Sequence, residues 1–436
     1  MAATKWMRML SIGLMSGTSM DGIDAALLET DGTSKLINDL GHFFIPYDPA
    51  FKILLKAAEY AIRQCKGNLD DAKVYYIHAL EQYLQQELHI RAIHVPDKIN
   101  SLIAYMHSES HSQEKLTLDT VIQHSTFLHG LAVKQILKKT GYRAEQIDVV
   151  GYHGQAMYHQ PTHKISVIVG DGQALADQIG ITVVNDFRSR DIAAGGQGAP
   201  FAPLYHQALA VRDNKLPLAV VNCGGIANVT VIKNADPLDL IGFDTGPGNA
   251  LIDRLVKRRT HGKQDMDTNG QFGKRGTMDV TVLNALYAKA IIKDGKNYFS
   301  IKPPKSLDYG DMILIPELDA LSLEDACATL EVFTADSIVR SMEMFNREIP
   351  QHWVLAGGGW KNPLIKTALV TRLKAKMGSN VQVQFADEIG WNSQAMEAQI
   401  FAFLAVRSLN HQPLSFPNTT GVAAPLTGGQ AYYANL

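Results

Sequence analysis

Two stretches of this 436-residue chain share one design. "IGLMSGTSMDGIDAALLETDG" (12–32) and "LPLAVVNCGGIANVTVI" (216–232) are each an apolar, β-branched run hinged on a short turn of Gly, Ser or Asn. Runs of that kind, bounded by turn residues, read as strand, tight turn, strand. There is no third copy, which excludes a solenoid. A pair of such hairpins far apart in one chain points to two similar α/β domains, each opening on its own hairpin. The size allows two domains with real cores.

The hairpin tips are suited to phosphate. Glycine lets a backbone come close to an anion without a Cβ in the way, and successive N–H groups can then point inward. Gly17, Thr18, Ser19, Asp21 and Gly22 supply such a tip in the first hairpin, and Gly224, Gly225 and Asn228 supply one in the second. Gly357, Gly358 and Gly359 follow a third apolar run. Any one of them alone is also what a plain β-turn requires; three in one chain favour nucleotide. The Gly-Lys-Ser/Thr of a P-loop is absent, and "GPGNAL" (246–251) places Leu251 where a dinucleotide fingerprint needs its third glycine.

Between the hairpins, residues 50–141 read as mostly helical, with "HSESHSQEK" (107–115) as an exposed loop. "IDVVGYHGQ" (147–155) and "ITVVNDFRSRD" (181–191) are short strands ending in chemically capable residues. Open α/β sheets take their ligands at such strand ends. Asp186, followed by Arg188, is a candidate general base with an arginine to orient it or to offset charge on a transferred phosphoryl group; a loop-capping aspartate beside solvated arginines has the same pattern. Glu397 lies in "NSQAMEAQIFAFLAVRSL" (392–409), a helix apolar nearly all round and therefore expected to be buried. A carboxylate there needs a partner or a task. His153 and Gln155 at a strand end read as sugar-hydroxyl contacts. The run His153, His159, His163 lacks a fourth ligand and a geometry that converges, which argues against zinc.

Composition narrows the class. A formal net charge of −2 gives no reason to expect nucleic acid, and Cys65, Cys223 and Cys327 are too scattered for a disulfide framework. The apolar run "MLSIGLM" is short and broken by Ser11 and Gly13, unlike a secretory leader, and nowhere is there a span fit to cross a bilayer. A cytoplasmic protein is expected.

The opening stretch, with "GYHGQ", "VVNDFRSRDIAAGGQGAPFAP", "NCGGIAN", "GFDTGPGNALID", "KPPKS" and "AGGGWKNPL", resembles the anhydro-N-acetylmuramic acid kinase family, with matches in order from about residue 10 to residue 410. The resemblance implies two ribonuclease-H-like (actin-like) domains with ATP in an interdomain cleft. They would span 1–213, rejoined by 392–436, and 214–391. It implies an enzyme that uses ATP, Mg²⁺ and water to convert 1,6-anhydro-N-acetylmuramic acid to N-acetylmuramic acid 6-phosphate, in peptidoglycan recycling, and a homodimer. The family's ATP segment falls on Gly17, Thr18, Ser19, Met20, Asp21, Gly22, Ile23 and Asp24, with Thr18 and Ser19 also near the sugar. Its base falls on Asp186, its arginine on Arg188 and its late-helix glutamate on Glu397. Mg²⁺ is expected at Asp21 or Asp244, through waters. After "KPPKS" this chain has Leu307, Asp308 and Tyr309 where the family has Thr-Gly-Arg or similar, and the 65–115 stretch is longer than usual. Two other readings stay open: an ordinary sugar hydroxyl kinase, and a nucleotide-binding regulator without turnover.

Overall fold

A computed structural model describes residues 6–110, 114–308, 310–344 and 349–435. In chain order it builds β1 (Met9–Ser16), β2 (Gly22–Thr30) and β3 (Ile37–Pro46), then α1 (Pro49–Gln64), α2 (Leu69–Gln86), α3 (Val95–Ser110) and α4 (Leu118–Thr140). Next come β4 (Val149–Gln160), β5 (Ile165–Val169), α5 (Gly172–Ile179), β6 (Val183–Asn185) and α6 (Ser189–Ala193). After α7 (Ala202–Arg212) follow β7 (Leu218–Cys223), β8 (Ile226–Ile232), β9 (Ile241–Pro247), α8 (Ala250–Arg259), α9 (Val280–Ala288) and α10 (Leu323–Ser341). The chain ends through β10 (His352–Ala356), α11 (Pro363–Met377), β11 (Gln382–Phe385), α12 (Met396–Leu409) and β12 (Gln430–Tyr432).

Two compact units result, Met1–Gly198 with Ala395–Leu414 and Pro425–Leu436, and Ala199–Gln394 with Ser415–Ala424. The boundary falls ahead of the expected residue 213 because α7 packs on the second sheet. Its Pro203 lies against Gly242, and its His206 Nδ1 is 2.9 Å from Thr230 Oγ1. Residues 415–424 leave the returning tail for the same reason: Gly242 N donates to Asn418 O at 3.1 Å.

In the first unit the sheet order is β12-β6-β4-β1-β2-β3, with β5 on β4. β1, β2 and β3 run antiparallel, whereas β4 is parallel to β1 and β6 parallel to β4. That three-strand meander continued by parallel strands is the ribonuclease-H-like order. One face, through Ile12, Leu14, Ile23, Ala25 and Leu27, packs with Phe51, Leu54, Val133 and Ile136 of α1 and α4. Asp48 caps α1 by accepting from Ala50 N at 2.7 Å, and a Thr117/Thr120 capping box starts α4. The other face receives α12 at backbone distance. A Cβ on Gly13 would lie 1.8 Å from Ala398 O, and one on Gly151 would lie 2.0 Å from Phe401 O. Ser11 Oγ donates to Ala402 O at 2.9 Å, fixing the contact. α3 continues through Ser110, so the helix takes in the first part of the loop expected at 107–115, of which 111–113 lie outside the described residues.

The second unit repeats the scheme. Its sheet order is β11-β10-β7-β8-β9, with β7, β8 and β9 antiparallel and β10 parallel to both β7 and β11. Behind it α10 carries a buried acid, Glu331. Its Oε1 accepts from Asn362 Nδ2 at 2.6 Å, and its Oε2 has no donor among the described residues. The Asp267 carboxylate beside it already accepts from Phe272 N and Gly273 N. Burial first, with the Asp267 charge adding to it, pushes Glu331 up to about 8, so it carries a proton at neutral pH.

Two outcomes follow. Gly13→Ala must push α12 off the sheet and should destabilise the first unit by about 3 kcal/mol, read by denaturant unfolding. For Glu331 the folded state holds a proton that the unfolded chain releases above its ordinary value of 4.5, so stability falls as pH rises from there through about 8. Glu331→Gln, which mimics the protonated form, should flatten that decline and gain on the order of 2 kcal/mol at pH 8.5, read as thermal midpoints across pH.

Candidate active site

β1, β4 and β6 are parallel; Gly17–Asp21 and Asp186 follow the carboxyl ends of β1 and β6, whereas His153 and Gln155, expected at a strand end, lie within β4, which continues to Gln160. From β1 the chain turns through Gly17–Asp21. Met20 N donates to Gly17 O at 3.0 Å, and Met20 takes a left-handed φ of 53°. The Met20 side chain is fully buried in the core, which pins the turn and offers a ligand only its backbone. Gly17 is partly exposed, and Thr18, Ser19 and Asp21 are exposed at the tip. The end of the expected ATP segment is structural: Gly22 and Ile23 are buried in β2, and Asp24 is a half-buried strand residue.

A buried polar chain supports this tip. Tyr47 OH donates to Ser16 Oγ at 3.1 Å, Ser16 Oγ donates to Gln155 Oε1 at 2.6 Å, and Gln155 Nε2 donates to Gly17 O at 3.1 Å. Gln155 is therefore not the exposed sugar contact expected from its strand-end position; both ends of its amide hold the loop. Two lysines one helical turn apart on α1 hold it from outside: Lys52 pairs with Asp21, and Lys56 Nζ donates to Thr18 O at 2.9 Å. Ser16, Tyr47, Lys52 and Lys56 escaped the sequence reading, because the contact between α1 and the loop is tertiary.

Asp186 follows the last residue of β6 at φ 51°, a left-handed conformation uncommon outside glycine that aspartate adopts more readily than most residues. Its half-buried carboxylate accepts at Oδ1 from Ser189 Oγ at 2.6 Å and Ser189 N at 3.2 Å. Arg188 Nη2 lies 3.0 Å from His153 Nε2, and His153 Nδ1 lies 2.8 Å from Gly154 O. For the guanidinium to donate, Nε2 must be the acceptor and Nδ1 must carry the proton. Burial, then the Arg188 charge, pushes His153 down to about 3, so it stays neutral. Fully enclosed, His153 orients Arg188 instead of reading a sugar. Asp191 shapes the loop after Asp186, accepting from Gly198 N at 2.6 Å.

α12 reaches this region through its second turn. Its Phe401 ring lies 4.5 Å from the His153 ring and 5.3 Å from that of Phe187, and Glu397 stands one turn earlier on the same helix. Glu397 is exposed, contrary to the burial expected from its apolar helix. At the N-terminal turn a side chain can leave the packed face, and the helix dipole favours an anion there.

In the second unit the glycines converge on the carboxyl ends of β7 and β10. A Cβ on Gly357 would meet Asn222 Oδ1 at 2.5 Å, one on Gly359 would meet Cys223 Sγ at 2.5 Å, and one on Gly248 would meet Gly224 O at 2.0 Å. Gly225 O accepts from Gly248 N at 2.8 Å, Gly358 is exposed, and Asn228 pairs across the hairpin with Asn222. Asp244 is stitched to the "KPPKS" segment: its Oδ2 accepts from Leu307 N at 2.8 Å and its N donates to Lys305 O at 3.0 Å. Burial lowers the Lys305 amine to about 8, with Asp244 opposing the shift. Asp308 is buried beside Lys293 at 3.6 Å, and Tyr309 lies outside the described residues. Among the described residues no three His, Cys, Asp or Glu side chains group as metal ligands, and no helix is long and apolar enough to cross a membrane.

The model of the anhydro-N-acetylmuramic acid kinase family matches residues 66–434. A relative of that name in Methylorubrum populi is 38% identical over 421 residues, covering 96% of this chain and 97% of its own. One in Rhizorhabdus wittichii is 38% identical over 422 residues, covering 97% and 98%. One in Zymomonas mobilis is 39% identical over 425 residues, covering 98% and 100%.

Replacing Gln155 by Leu takes away the acceptor of Ser16 Oγ and the side-chain donor to Gly17 O. The Gly17–Asp21 loop should then bind a nucleoside triphosphate about tenfold more weakly, a loss of about 1.4 kcal/mol, measured by calorimetric titration.

Proposed function

The chain belongs to the anhydro-N-acetylmuramic acid kinase family, and we propose that Asp186, oriented by Ser189 and assisted by Glu397, is the base of its reaction. The enzyme phosphorylates 1,6-anhydro-N-acetylmuramic acid at the expense of ATP, giving N-acetylmuramic acid 6-phosphate in the recycling of peptidoglycan. In the proposed sequence a water oxygen attacks the anomeric carbon and gives its proton to Asp186. The bond from that carbon to the bridging oxygen breaks, and the freed 6-oxygen attacks the γ-phosphorus in line as ADP departs. The observation that carries this reading is the Asp186 carboxylate itself: at a strand end, half-buried, held by Ser189, with Arg188 two residues on.

Each neighbour has a task. Arg188, kept in place by neutral His153, offsets charge on the transferring phosphoryl group. Gly17, Thr18 and Ser19 present the exposed tip to phosphate, and Thr18 and Ser19 reach the sugar. In the second unit half-buried Gly224, Gly225, Asn228 and Gly357, exposed Gly358 and the backbone of buried Gly359 are the nucleotide contacts. Mg²⁺ suits this donor set as a hydrated ion carried by the triphosphate. Each aspartate has one oxygen committed, Asp21 to Lys52 and Asp244 to Leu307 N; Asp21, exposed at the loop tip, would meet the ion's waters. Reduced Cys65, Cys223 and Cys327 agree with a cytoplasmic enzyme, and the net charge of −2 with one that has no nucleic-acid partner. A homodimer rests on family resemblance alone.

An ADP-release assay with 1,6-anhydro-N-acetylmuramic acid beside free N-acetylmuramic acid tests the reading. The anhydro-sugar alone should support turnover, and Asp186→Asn should lower kcat by about a thousandfold. Turnover of the free sugar alone identifies an ordinary hydroxyl kinase, and nucleotide binding without turnover identifies a regulator.

A further inference from the structure

The loop after β1 is built on one turn. Met20 N donates to Gly17 O at 3.0 Å, so Thr18 and Ser19 are its two central residues, both exposed. Neither takes a positive φ, and the peptide bonds that join Gly17, Thr18 and Ser19 are trans. In a trans peptide the carbonyl of one residue and the N–H of the next point in opposite directions. Whatever holds the carbonyls of this turn therefore aims its N–H groups.

Both carbonyls are held from within the first unit. Gly17 O accepts from Met20 N and, at 3.1 Å, from Gln155 Nε2, which turns the Thr18 N–H the other way. Thr18 O accepts from Lys56 Nζ at 2.9 Å, which turns the Ser19 N–H away from that lysine. Among the described residues neither N–H finds an acceptor in the chain. Lys56 is itself fixed: its ammonium also donates to Glu59 Oε2 at 3.0 Å, and Glu59 Oε1 accepts from Arg63 Nε at 3.0 Å. At 21% exposure, against 42% for Lys52, the Lys56 side chain is the more enclosed of the two lysines that α1 sets against the loop.

We propose that Lys56 is a positioning residue for the nucleotide: by capturing the Thr18 carbonyl it points the Ser19 N–H, beside that of Thr18, at the phosphate oxygens of the nucleoside triphosphate. The proposal rests on the phosphate role given above to Gly17, Thr18 and Ser19, and adds the group that sets it. Successive N–H groups turned to one side form an anion-binding concavity, and an ionised donor holds a carbonyl more strongly than a neutral one. Recognition at this loop is then by main-chain N–H groups, with Lys56 acting through the peptide and not on the phosphate. Adenosine, which has no phosphate, gains nothing from the arrangement.

The test is amide NMR of the whole chain titrated with the non-hydrolysable ATP analogue AMPPNP, beside calorimetric titrations of AMPPNP and of adenosine, for the wild type, Lys56→Met and Lys56→Arg. In the wild type the Ser19 amide proton should move downfield as AMPPNP binds. Lys56→Met, which leaves Glu59 its Arg63, should bind AMPPNP about tenfold more weakly, bind adenosine as before and lose most of the Ser19 shift. Lys56→Arg, which can still donate to Thr18 O, should recover most of both. If Lys56→Met does not fold, Lys56→Ala, the best helix former without a donor, takes its place. A merely structural role would weaken adenosine and AMPPNP alike. That result, or AMPPNP bound at wild-type strength without the lysine, overturns the proposal. So does weaker binding with an unchanged Ser19 shift, the mark of a lysine that touches phosphate directly. A Ser19 amide that ignores AMPPNP in the wild type overturns the phosphate role of the loop, and this proposal with it.

Discussion

The distance at which α12 lies on the first sheet governs much of what the first unit can do. Gly13 and Gly151 have no Cβ, so helix backbone rests on strand backbone at the middle of the sheet. From this seat Phe401 reaches His153 and Phe187, and the last part of the chain is joined to the first. A methyl group at either glycine would lift the helix and, with it, the carboxylate it carries. The packing of the fold and the supply of a second carboxylate are thus one constraint.

The chemistry fits that arrangement. The anhydro-sugar contains no 6-hydroxyl proton, so a base at the site acts on water, and the oxygen that attacks phosphorus is released by ring opening. In the reading proposed, Ser189 occupies Oδ1 of Asp186 and so leaves Oδ2 to take the water's proton. His153 contributes by staying uncharged. A protonated imidazole could not accept from Arg188 and would repel it.

Much of this was legible along the chain, and the exceptions have physical causes. Both hairpins stood out because strand, turn and strand are local and their residue types are distinctive. The position of Asp186 just past β6 was readable for a related reason, since a β-branched run that stops at an acid marks a strand end. Glu397 was singled out for the wrong property: an apolar helix implies burial on average, but its first turn lets one side chain escape. His153 and Gln155 were expected to face a ligand, and their partners, Arg188 at the start of α6 and the Ser16–Gly17 corner after β1, lie far away in sequence. Lys52 and Lys56 carried no signal, because a lysine pair on a helix is ordinary until the helix is set against a loop. Gly13 was invisible as a packing residue for the same reason; its partner lies almost a whole chain away.

The central claim is that ring opening by water and phosphoryl transfer to the released oxygen belong to one reaction. Brief turnover of 1,6-anhydro-N-acetylmuramic acid with ATP in ¹⁸O-labelled water, followed by mass analysis of the sugar phosphate, tests it most directly. The account predicts the label on the anomeric oxygen and none in the phosphoryl group or its bridge to carbon 6. Label in the phosphoryl group, or an unlabelled sugar, would contradict it.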